Sequence, residues 1–240
     1  MSWFKNWFDS KYYHILYKDR DKKEAELFIN NLIKFLNLKH GSRILDVACG
    51  KGRHAMYFNS LGFKVVGIDI SHKSIQFAKK YQNSTLDFVI HDMRQEFQNN
   101  NFDLVTNLFT SFGYFKKNTD EKKAINSMAN SMKKDGLLVI DFMNIEKVKK
   151  KLVAKEKKII DNVTFDISRK IINGHIIKDI IIRDLNTENY FQEKVKTLDL
   201  YDFSNLIKEA NMRIVDTFGN YNLDKFNASK SDRLILICKK

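Results

Sequence analysis

The sequence predicts an α/β fold in which a doubly wound, mostly parallel sheet carries an N-terminal helical cap and an antiparallel β insertion. Strand-like and helix-like runs alternate from residue 43 to residue 143, and the strand-like runs are almost continuously apolar, as in parallel strands covered on both faces. Before this region apolar residues recur at helical spacing, and after it three β-like runs follow one another without helices between them.

Residues 1–40 predict the helical cap. Aromatic side chains crowd its start, namely Trp3, Phe4, Trp7, Phe8, Tyr12 and Tyr13. From about residue 21 to residue 38 apolar residues recur every three or four positions, which predicts an amphipathic helix. Gly41 marks the end of that helix, because glycine readily adopts the left-handed conformation that closes helices.

Residues 41–144 predict the core of the fold. The alternation predicts strands over 43–48, 64–70, 87–91, 102–108 and 136–143, with helices over 52–60, 71–81 and 120–133. Because helices join these successive parallel strands, the carboxyl ends of the strands meet at one edge of the sheet. Ligands of open α/β sheets bind in the crevice at that edge, so the site is expected there.

The alternation breaks after Asn144. Residues 145–158 are rich in lysine and predict a helical or irregular segment, and β-like runs follow over 163–172, 175–183 and 191–198. Asn173-Gly174 separates the first two runs and is typical of a hairpin turn, because both positions need positive φ. We therefore expect an antiparallel insertion over 145–200, then a helix and a strand pair over 201–240, all within a single domain of residues 1–240.

The composition restricts the possible function classes. The net charge is +13, but only eight of the 42 basic residues are arginine and proline is absent, so the charge indicates compositional bias more than a nucleic-acid partner. No apolar run reaches the roughly 18 residues of a membrane helix, and the N-terminus lacks the pattern of a signal peptide. Two cysteines do not form a disulfide framework, which indicates a cytoplasmic protein.

A glycine-rich turn, Asp-Val-Ala-Cys-Gly-Lys-Gly, follows the first core strand. Gly50 and Gly52 allow a tight turn before a helix whose first N–H groups are unpaired. Asp69 ends the second strand 19 residues after Gly50, close to the spacing at which a carboxylate accepts both hydroxyls of a ribose. Asp92 and Asn107 follow the third and fourth strands. Suitable groups at successive strand ends predict a nucleotide-type cofactor site.

These motifs resemble those of the class I, Rossmann-like S-adenosylmethionine-dependent methyltransferases. Residues 44–52 are similar to the family's first motif, 67–71 to the second, 91–93 to the third and 102–107 to the fourth strand. The resemblance implies a seven-stranded sheet whose last strand, 233–239, is antiparallel and lies between the fifth and sixth. It also implies S-adenosylmethionine as cofactor and S-adenosylhomocysteine as its product, bound by Asp46, Ala48, Cys49, Gly50, Gly52, Asp69, Ile70, Asp92, Met93, Asn107 and Leu108.

The N-terminal segment also resembles the lid of small-molecule N-methyltransferases, in the pattern Tyr13-x-x-x-Tyr17-x-x-Arg20. This resemblance implies that Tyr17 and Arg20 contact the cofactor and that Tyr13 faces the acceptor. The alternative is that the tyrosines only pack the cap. Arg53 is a second candidate for the cofactor's carboxylate, because a cation at the start of a helix opposes the helix dipole.

Methyl transfer by in-line displacement needs alignment and a dry site more than one obligatory catalytic group. Our catalytic candidates are Tyr13, Tyr114 and Asp141, with Asn144, His54 and His175 as weaker ones. For Asp141, capping a helix is an equal alternative. No residue cluster has the spacing of metal ligands, and the absence of proline excludes Asn-Pro-Pro-Tyr and Pro-Cys sites. Cys49 and Cys238 are expected to pack rather than react.

The leading hypothesis is a methyltransferase acting on a nitrogen or oxygen atom of a small molecule. The insertion would then form the acceptor pocket or a homodimer contact, with no membrane association. The alternatives are an RNA methyltransferase that uses the lysines of 116–123 and 147–158, and a non-enzymatic S-adenosylmethionine-binding protein. A nicotinamide-dependent dehydrogenase is disfavoured, because the third glycine of its phosphate-binding motif is missing.

Overall fold

The computed structural model describes residues 3–18 and 22–240. The helices are α1 Trp3–Phe8, α2 Lys11–Leu16, α3 Lys22–Leu36, α4 Arg53–Ser60, α5 His72–Ala78, α6 Asn118–Ser131, α7 Ile145–Lys151 and α8 Leu200–Glu209, with a 3-10 turn at Lys79–Tyr81. The strands are β1 Arg43–Val47, β2 Lys64–Asp69, β3 Leu86–Ile90, β4 Phe102–Asn107, β5 Met132–Met143, β6 Lys155–Ile160, β7 Val163–Ile172, β8 His175–Asp184, β9 Thr187–Lys196, β10 Arg213–Phe218 and β11 Arg233–Lys239.

The central sheet has seven strands in the order β10-β11-β5-β4-β1-β2-β3. Strand β11 runs antiparallel to both of its neighbours, while β1 to β5 pair in parallel. The predicted fold class is thereby confirmed, including the antiparallel last strand between the fifth and sixth. The strand order changes direction between β1 and β4, so a crevice opens at their carboxyl ends.

Both faces of this sheet are covered, which explains why its strands are apolar without a break. On one face Leu45 and Val47 of β1 pack with buried side chains of α6 and α8. On the other face Ile44 packs with buried side chains of α3 and α4. Alternate residues of one short strand therefore serve two separate cores, which fixes β1 in the middle of the molecule.

The insertion forms a separate four-stranded antiparallel sheet in the order β6-β7-β8-β9. Asn173 and Gly174 form the β7–β8 turn with φ values of 48° and 69°, as the hairpin prediction requires. The prediction of a helical or irregular segment over 145–158 is correct for α7 but wrong for the first part of β6. That strand is an edge strand that pairs with β7 alone, so pairing rather than its own lysine-rich sequence makes it a strand.

The N-terminal helices lie on two different surfaces. Trp7 and Leu16, of α1 and α2, pack against the inner face of the second sheet, where they contact a cluster that includes Phe165 and Ile180. Helix α3 instead packs on α4 of the core. Residues 3–18 therefore cover the insertion, and they approach the carboxyl edge of the central sheet from that side.

Within the described residues, the longest helix is too short and too polar to cross a membrane. Cys49 and Cys238 are both buried free thiols, and burial raises the pKa of the Cys238 thiol to about 12. Both observations agree with the interpretation that these cysteines pack the core.

Candidate functional site

A cavity of about 510 Å³ lies at the carboxyl ends of β1, β2, β3 and β4, within the size range of small-molecule sites. Its walls come from the turn after β1, the loops after β2, β3 and β4, the N-terminal segment and one residue of β9. The predicted residues that line it are Tyr13, Tyr17, Ala48, Cys49, Gly50, Arg53, Asp69, Ile70, Asp92, Met93, Leu108 and Tyr114. The sequence therefore located the cavity through several independent strand ends.

The glycine turn forms the floor of this cavity. Ala48, Gly50 and Gly52 all have positive φ, at 59°, 56° and 82°. A Cβ atom on Gly52 would lie 2.5 Å from the ring of Phe88, so this position also needs glycine for space. Gly52 does not line the cavity but lies against Phe88. It is the residue at which the turn ends and α4 begins.

Asp69 holds the glycine turn and the next loop together. Its Oδ2 accepts a hydrogen bond from Gly50 N at 2.8 Å, and its Oδ1 accepts one from Ser71 N at 2.7 Å. Burial raises the pKa of this carboxyl group, and the two backbone hydrogen bonds oppose that rise. The Ser71 hydroxyl also donates a hydrogen bond to Asp9, which ties the N-terminal segment to this loop.

Asp92 lines the cavity after β3 and is oriented by Arg94. The Arg94 Nε lies 3.0 Å from Asp92 Oδ1, and the same guanidinium contacts Asp120 at 3.1 Å. Burial alone would raise the pKa of Asp92, but the hydrogen bonds from Arg94 lower it overall. Arg94 was not among the predicted site residues. Its position two residues after Asp92 is the only signal that the sequence carries for it.

Arg53 begins α4 and lines the cavity, and its binding to a ligand carboxylate stays a prediction. Its guanidinium lies 4.5 Å from the ring centre of Phe109, and the His54 ring lies tilted against the same ring at 5.2 Å. The aromatic ring supports the cation in a part of the helix where the dipole disfavours it.

Two predicted residues, Asp46 and Asn107, lie beneath the cavity rather than in its wall. Asn107 Nδ2 donates to Val47 O at 3.1 Å, and Asp46 Oδ1 accepts from Thr106 Oγ1 at 3.2 Å. Burial raises the pKa of Asp46 to about 7. The geometry therefore gives both residues a supporting role under the turn. Arg20, the remaining cofactor candidate, lies outside the described residues.

Asp141 does not reach the cavity, and the geometry does not support a direct catalytic role for it. The side chain is fully buried, and it accepts hydrogen bonds from Phe109 N at 2.8 Å, Tyr221 Oη at 3.1 Å and Arg233 Nε at 2.7 Å. Arg233 also donates to Thr110 Oγ1 at 2.9 Å. Because Phe109 and Thr110 both have φ of 59°, the buried ion pair supports a strained loop that does line the cavity.

The three weaker catalytic candidates, Asn144, His175 and His54, differ in whether they line the cavity. Asn144 caps α7 by accepting from Glu146 N at 3.2 Å, and its amide donates to Ala228 O and Ser231 O. His175 lies in the β7–β8 hairpin, away from the cavity. His54 does line the cavity.

Aromatic rings form another part of the cavity wall. The ring of Phe8 meets Tyr13 at 5.1 Å and Tyr114 at 5.5 Å, both edge to face, and Tyr13 meets Tyr17 at 5.0 Å. The Tyr114 hydroxyl donates to Thr110 O at 2.9 Å, which joins this wall to the loop after β4. The predicted tyrosines therefore both pack and line the cavity.

Glu193 of β9 also lines the cavity, and the sequence reading missed it. Its Oε1 accepts from Trp7 Nε1 and from Tyr17 Oη, both at 2.7 Å. The ammonium of Lys178 lies 3.4 Å from Oε2. A signal for it exists: Phe191, Glu193 and Val195 share one face of β9, and a carboxylate among inward apolar residues is unusual.

His14 is a second missed residue of the cavity wall. Burial, assisted by the nearby charge of Lys51, lowers the pKa of this imidazole to about 4. The histidine is therefore neutral at physiological pH.

The comparisons with known proteins agree with this geometry. Residues 44–136 match the family described as a methyltransferase domain. A putative methyltransferase from Geobacillus sp. (strain WCH70) is 28% identical over 124 residues, which cover 50% of each chain. An S-adenosylmethionine-dependent methyltransferase structure from Clostridium acetobutylicum ATCC 824 superposes with a TM-score of 0.79 at 22% identity, covering 95% of each chain. A sugar N-methyltransferase structure from Streptoalloteichus sp. ATCC 53650 has a TM-score of 0.72 at 18% identity, covering 95% of this chain and 93% of that one.

The chain has the Rossmann-like α/β fold of the solved S-adenosylmethionine-dependent methyltransferases. Residues 44–136 match the methyltransferase-domain family over the part of the chain that holds the glycine turn, Asp69 and Asp92. Its match to the curated relatives spans about half of their length, and the structural likenesses at this identity concern the fold. No group of three or more metal-ligating side chains occurs in the part of the chain that the structure describes.

Proposed function

We propose that the protein transfers a methyl group from S-adenosylmethionine to a nitrogen or oxygen atom of a small molecule. The observation that carries this proposal is the placement of Asp69. Its carboxylate is held by Gly50 N and Ser71 N at the wall of a cavity floored by a glycine turn. A fixed, desolvated carboxylate beside exposed helix N–H groups matches a ligand with a ribose and an anionic end.

The residues present fit the cofactor. Arg53 and the glycine turn would bind the methionine part, Asp69 the ribose, and Asp92 with Met93 the adenine. When bound, the cofactor supplies a methyl group on a positively charged sulfur. The protein's contribution is to hold the two reactants in line and to limit the access of water, to which the rings of Phe8 and Tyr114 in the cavity wall would contribute.

A small acceptor is supported by the way residues 3–18 cover the cavity. Phe8, Tyr13 and Tyr17 contribute half-buried rings to the cavity wall, which would limit the size of an entering molecule. The likeness to a sugar N-methyltransferase points in the same direction. An RNA substrate would need stacking rings on an open basic surface, whereas these rings face the cavity. The homodimer contact through the insertion and the cytoplasmic location stay predictions.

Calorimetric titration with S-adenosylhomocysteine tests the cofactor assignment. We expect the wild-type protein to bind, and Asp69→Ala to bind at least about tenfold more weakly, because it loses hydrogen bonds to a charged group. Asp87→Ala is the matched control, because Asp87 lies on the neighbouring strand β3 and is exposed. Undiminished binding by Asp69→Ala would contradict the proposal.

A second measurement separates enzyme from binding protein. The protein is incubated with cell extract and with cofactor labelled in the methyl group. Transfer of label to a small acceptor supports the proposed activity, and label on RNA would instead favour the RNA alternative. Cofactor binding with no labelled product would favour a non-enzymatic binding protein.

A further inference from the structure

The cavity receives a carboxylate from the second sheet. Glu193 is the residue that β9 contributes to the wall, among the residues that the structure describes. It lies on the inward face of its strand, between Phe191 and Val195 at a spacing of two residues. An ionised side chain in that register is costly to bury, so its presence calls for a ligand or a structural reason.

Its surroundings hold the carboxylate in one orientation. Trp7 Nε1 and Tyr17 Oη both donate to Oε1, and the side chain is only 14% exposed. Lys178 lies 3.4 Å from Oε2, and its ammonium also sits 4.7 Å from the ring centre of Tyr17. Lys178 does not line the cavity, so the carboxylate stands between this cation and the cavity space.

The other carboxylates of the cavity wall already have roles in the proposed function. Asp69 and Asp92 lie at the ribose and adenine positions, while Glu193 lies on the side of the aromatic wall. Among the cations of that side, Lys18 is paired with Asp161 at 2.5 Å. Among the residues that the structure describes, this side of the cavity is bounded mainly by rings and by one carboxylate, the combination that binds an organic cation through charge and ring faces.

We propose that Glu193 determines acceptor specificity by binding an ammonium group, so that the acceptor is a small amine. Before transfer the ammonium would release one proton to solvent by way of the Glu193 carboxylate. The freed nitrogen lone pair would then form the bond to the methyl carbon as the carbon–sulfur bond breaks and S-adenosylhomocysteine leaves. This inference rests on the proposed function, since it assigns the remaining part of the same cavity. The rings of Phe8, Tyr13 and Tyr114 would contact the carbon skeleton, and Glu193 would accept hydrogen bonds from the ammonium. Lys178 offsets part of the carboxylate's charge, so the preference for a cation is expected to be moderate.

The test uses full-length protein saturated with S-adenosylhomocysteine. Cyclohexylamine, which is protonated at about pH 7, and its neutral counterpart cyclohexanol are titrated separately by NMR or calorimetry. We expect the wild type to bind the ammonium at least about tenfold more tightly than the alcohol. Glu193→Gln should bind both probes alike. Glu188→Gln, on the exposed part of β9, is the matched control and should keep the wild-type preference.

A second variant distinguishes ligand binding from a purely structural role. Lys178→Met removes the competing cation but keeps the carboxylate, so ammonium binding should be retained or strengthened. If Glu193 and Lys178 only held the sheet together, both variants would weaken the two probes equally. Equal binding of ammonium and alcohol by the wild type, or an unchanged preference in Glu193→Gln, would overturn the proposal. Binding of S-adenosylhomocysteine, measured first, reports separately on the proposed function.

Discussion

The two sides of the cavity are built in different ways. The side proposed for the methyl donor, formed by residues within 48–53, 69–71 and 91–93, lies in turns and loops at the ends of parallel strands. The side proposed for the acceptor, formed by Phe8, Tyr13, Tyr17, Tyr114 and Glu193, consists of side chains from elements far apart in the chain. The hydrogen bond between Gly50 and Asp69 spans 19 residues, whereas that between Trp7 and Glu193 spans 186.

This difference indicates which substitutions should disturb the fold least. The donor side depends on backbone N–H groups and positive φ angles, so substitutions there disturb the turn itself. The acceptor side depends on the rings and charges that the second sheet, the N-terminal segment and the loop after β4 bring together. Single side chains there can be substituted without altering the central sheet. Asp141 and Arg233 lie between the two sides, because they support the loop that contains Phe109 and Thr110.

The largest expected effect comes from breaking that connection with Asp141→Ala. The substitution leaves the Arg233 guanidinium buried without its carboxylate, which costs about 3–5 kcal/mol of unfolding free energy. The melting temperature should fall on the order of 10 °C in a domain of this size. Urea denaturation and thermal melting measure both quantities.

The control for this prediction is Asp232→Ala. Asp232 also forms an ion pair, with Lys147, but its side chain is 73% exposed, so a loss of no more than about 1 kcal/mol is expected. Equal destabilisation by the two variants would mean that the buried pair is not the element that holds the loop.

A smaller effect is expected from Gly67→Ala on the donor side. A Cβ atom there would lie 2.7 Å from the ring of Phe88 and 2.8 Å from Cys49 Sγ. Overpacking of this kind costs about 1–3 kcal/mol, and it should displace Cys49 in the glycine turn. Calorimetry should therefore show weaker S-adenosylhomocysteine binding together with the loss of stability. Gly174→Ala, in the distant hairpin, should strain its own turn but leave cofactor binding unchanged.

The smallest net effect is expected for the pH dependence of stability, because Asp46 and His14 change the stability in opposite directions as the pH rises. Burial raises the pKa of Asp46 from 3.8 to about 7, so its contribution to stability is present at low pH and is lost as the pH rises through 7. Burial lowers the pKa of His14 from 6.5 to about 4, so its contribution is present above 6.5 and is lost as the pH falls towards 4.

Single substitutions should separate the contributions of Asp46 and His14 to the slope of unfolding free energy against pH. Between about pH 4 and 7, Asp46→Asn should make stability rise more steeply with pH, and His14→Gln should make it fall relative to the wild type. Urea denaturation at several pH values measures the slopes. Identical pH profiles for the wild type and both variants would show that neither group is perturbed by folding.

Much of the fold and of the donor side could be predicted from the sequence. Strand boundaries in the core agree to within a few residues, apart from the early start of β5 at Met132. β6 escaped prediction because an edge strand takes its conformation from its partner β7. Asp141 illustrates the same limit in the site, because its position at a strand end suggested catalysis, and only its three hydrogen-bond donors revealed a supporting role.

By itself, the sequence determined the central sheet, the glycine turn and the carboxylates Asp69 and Asp92. Apolar periodicity and strand-end residues are local properties, and parallel connections bring those ends to a common edge. Only the tertiary structure decided that residues 3–18 pack on the second sheet and that Glu193 enters the cavity beside Tyr17. Contacts between such distant segments depend on how two layers dock, which no local pattern encodes.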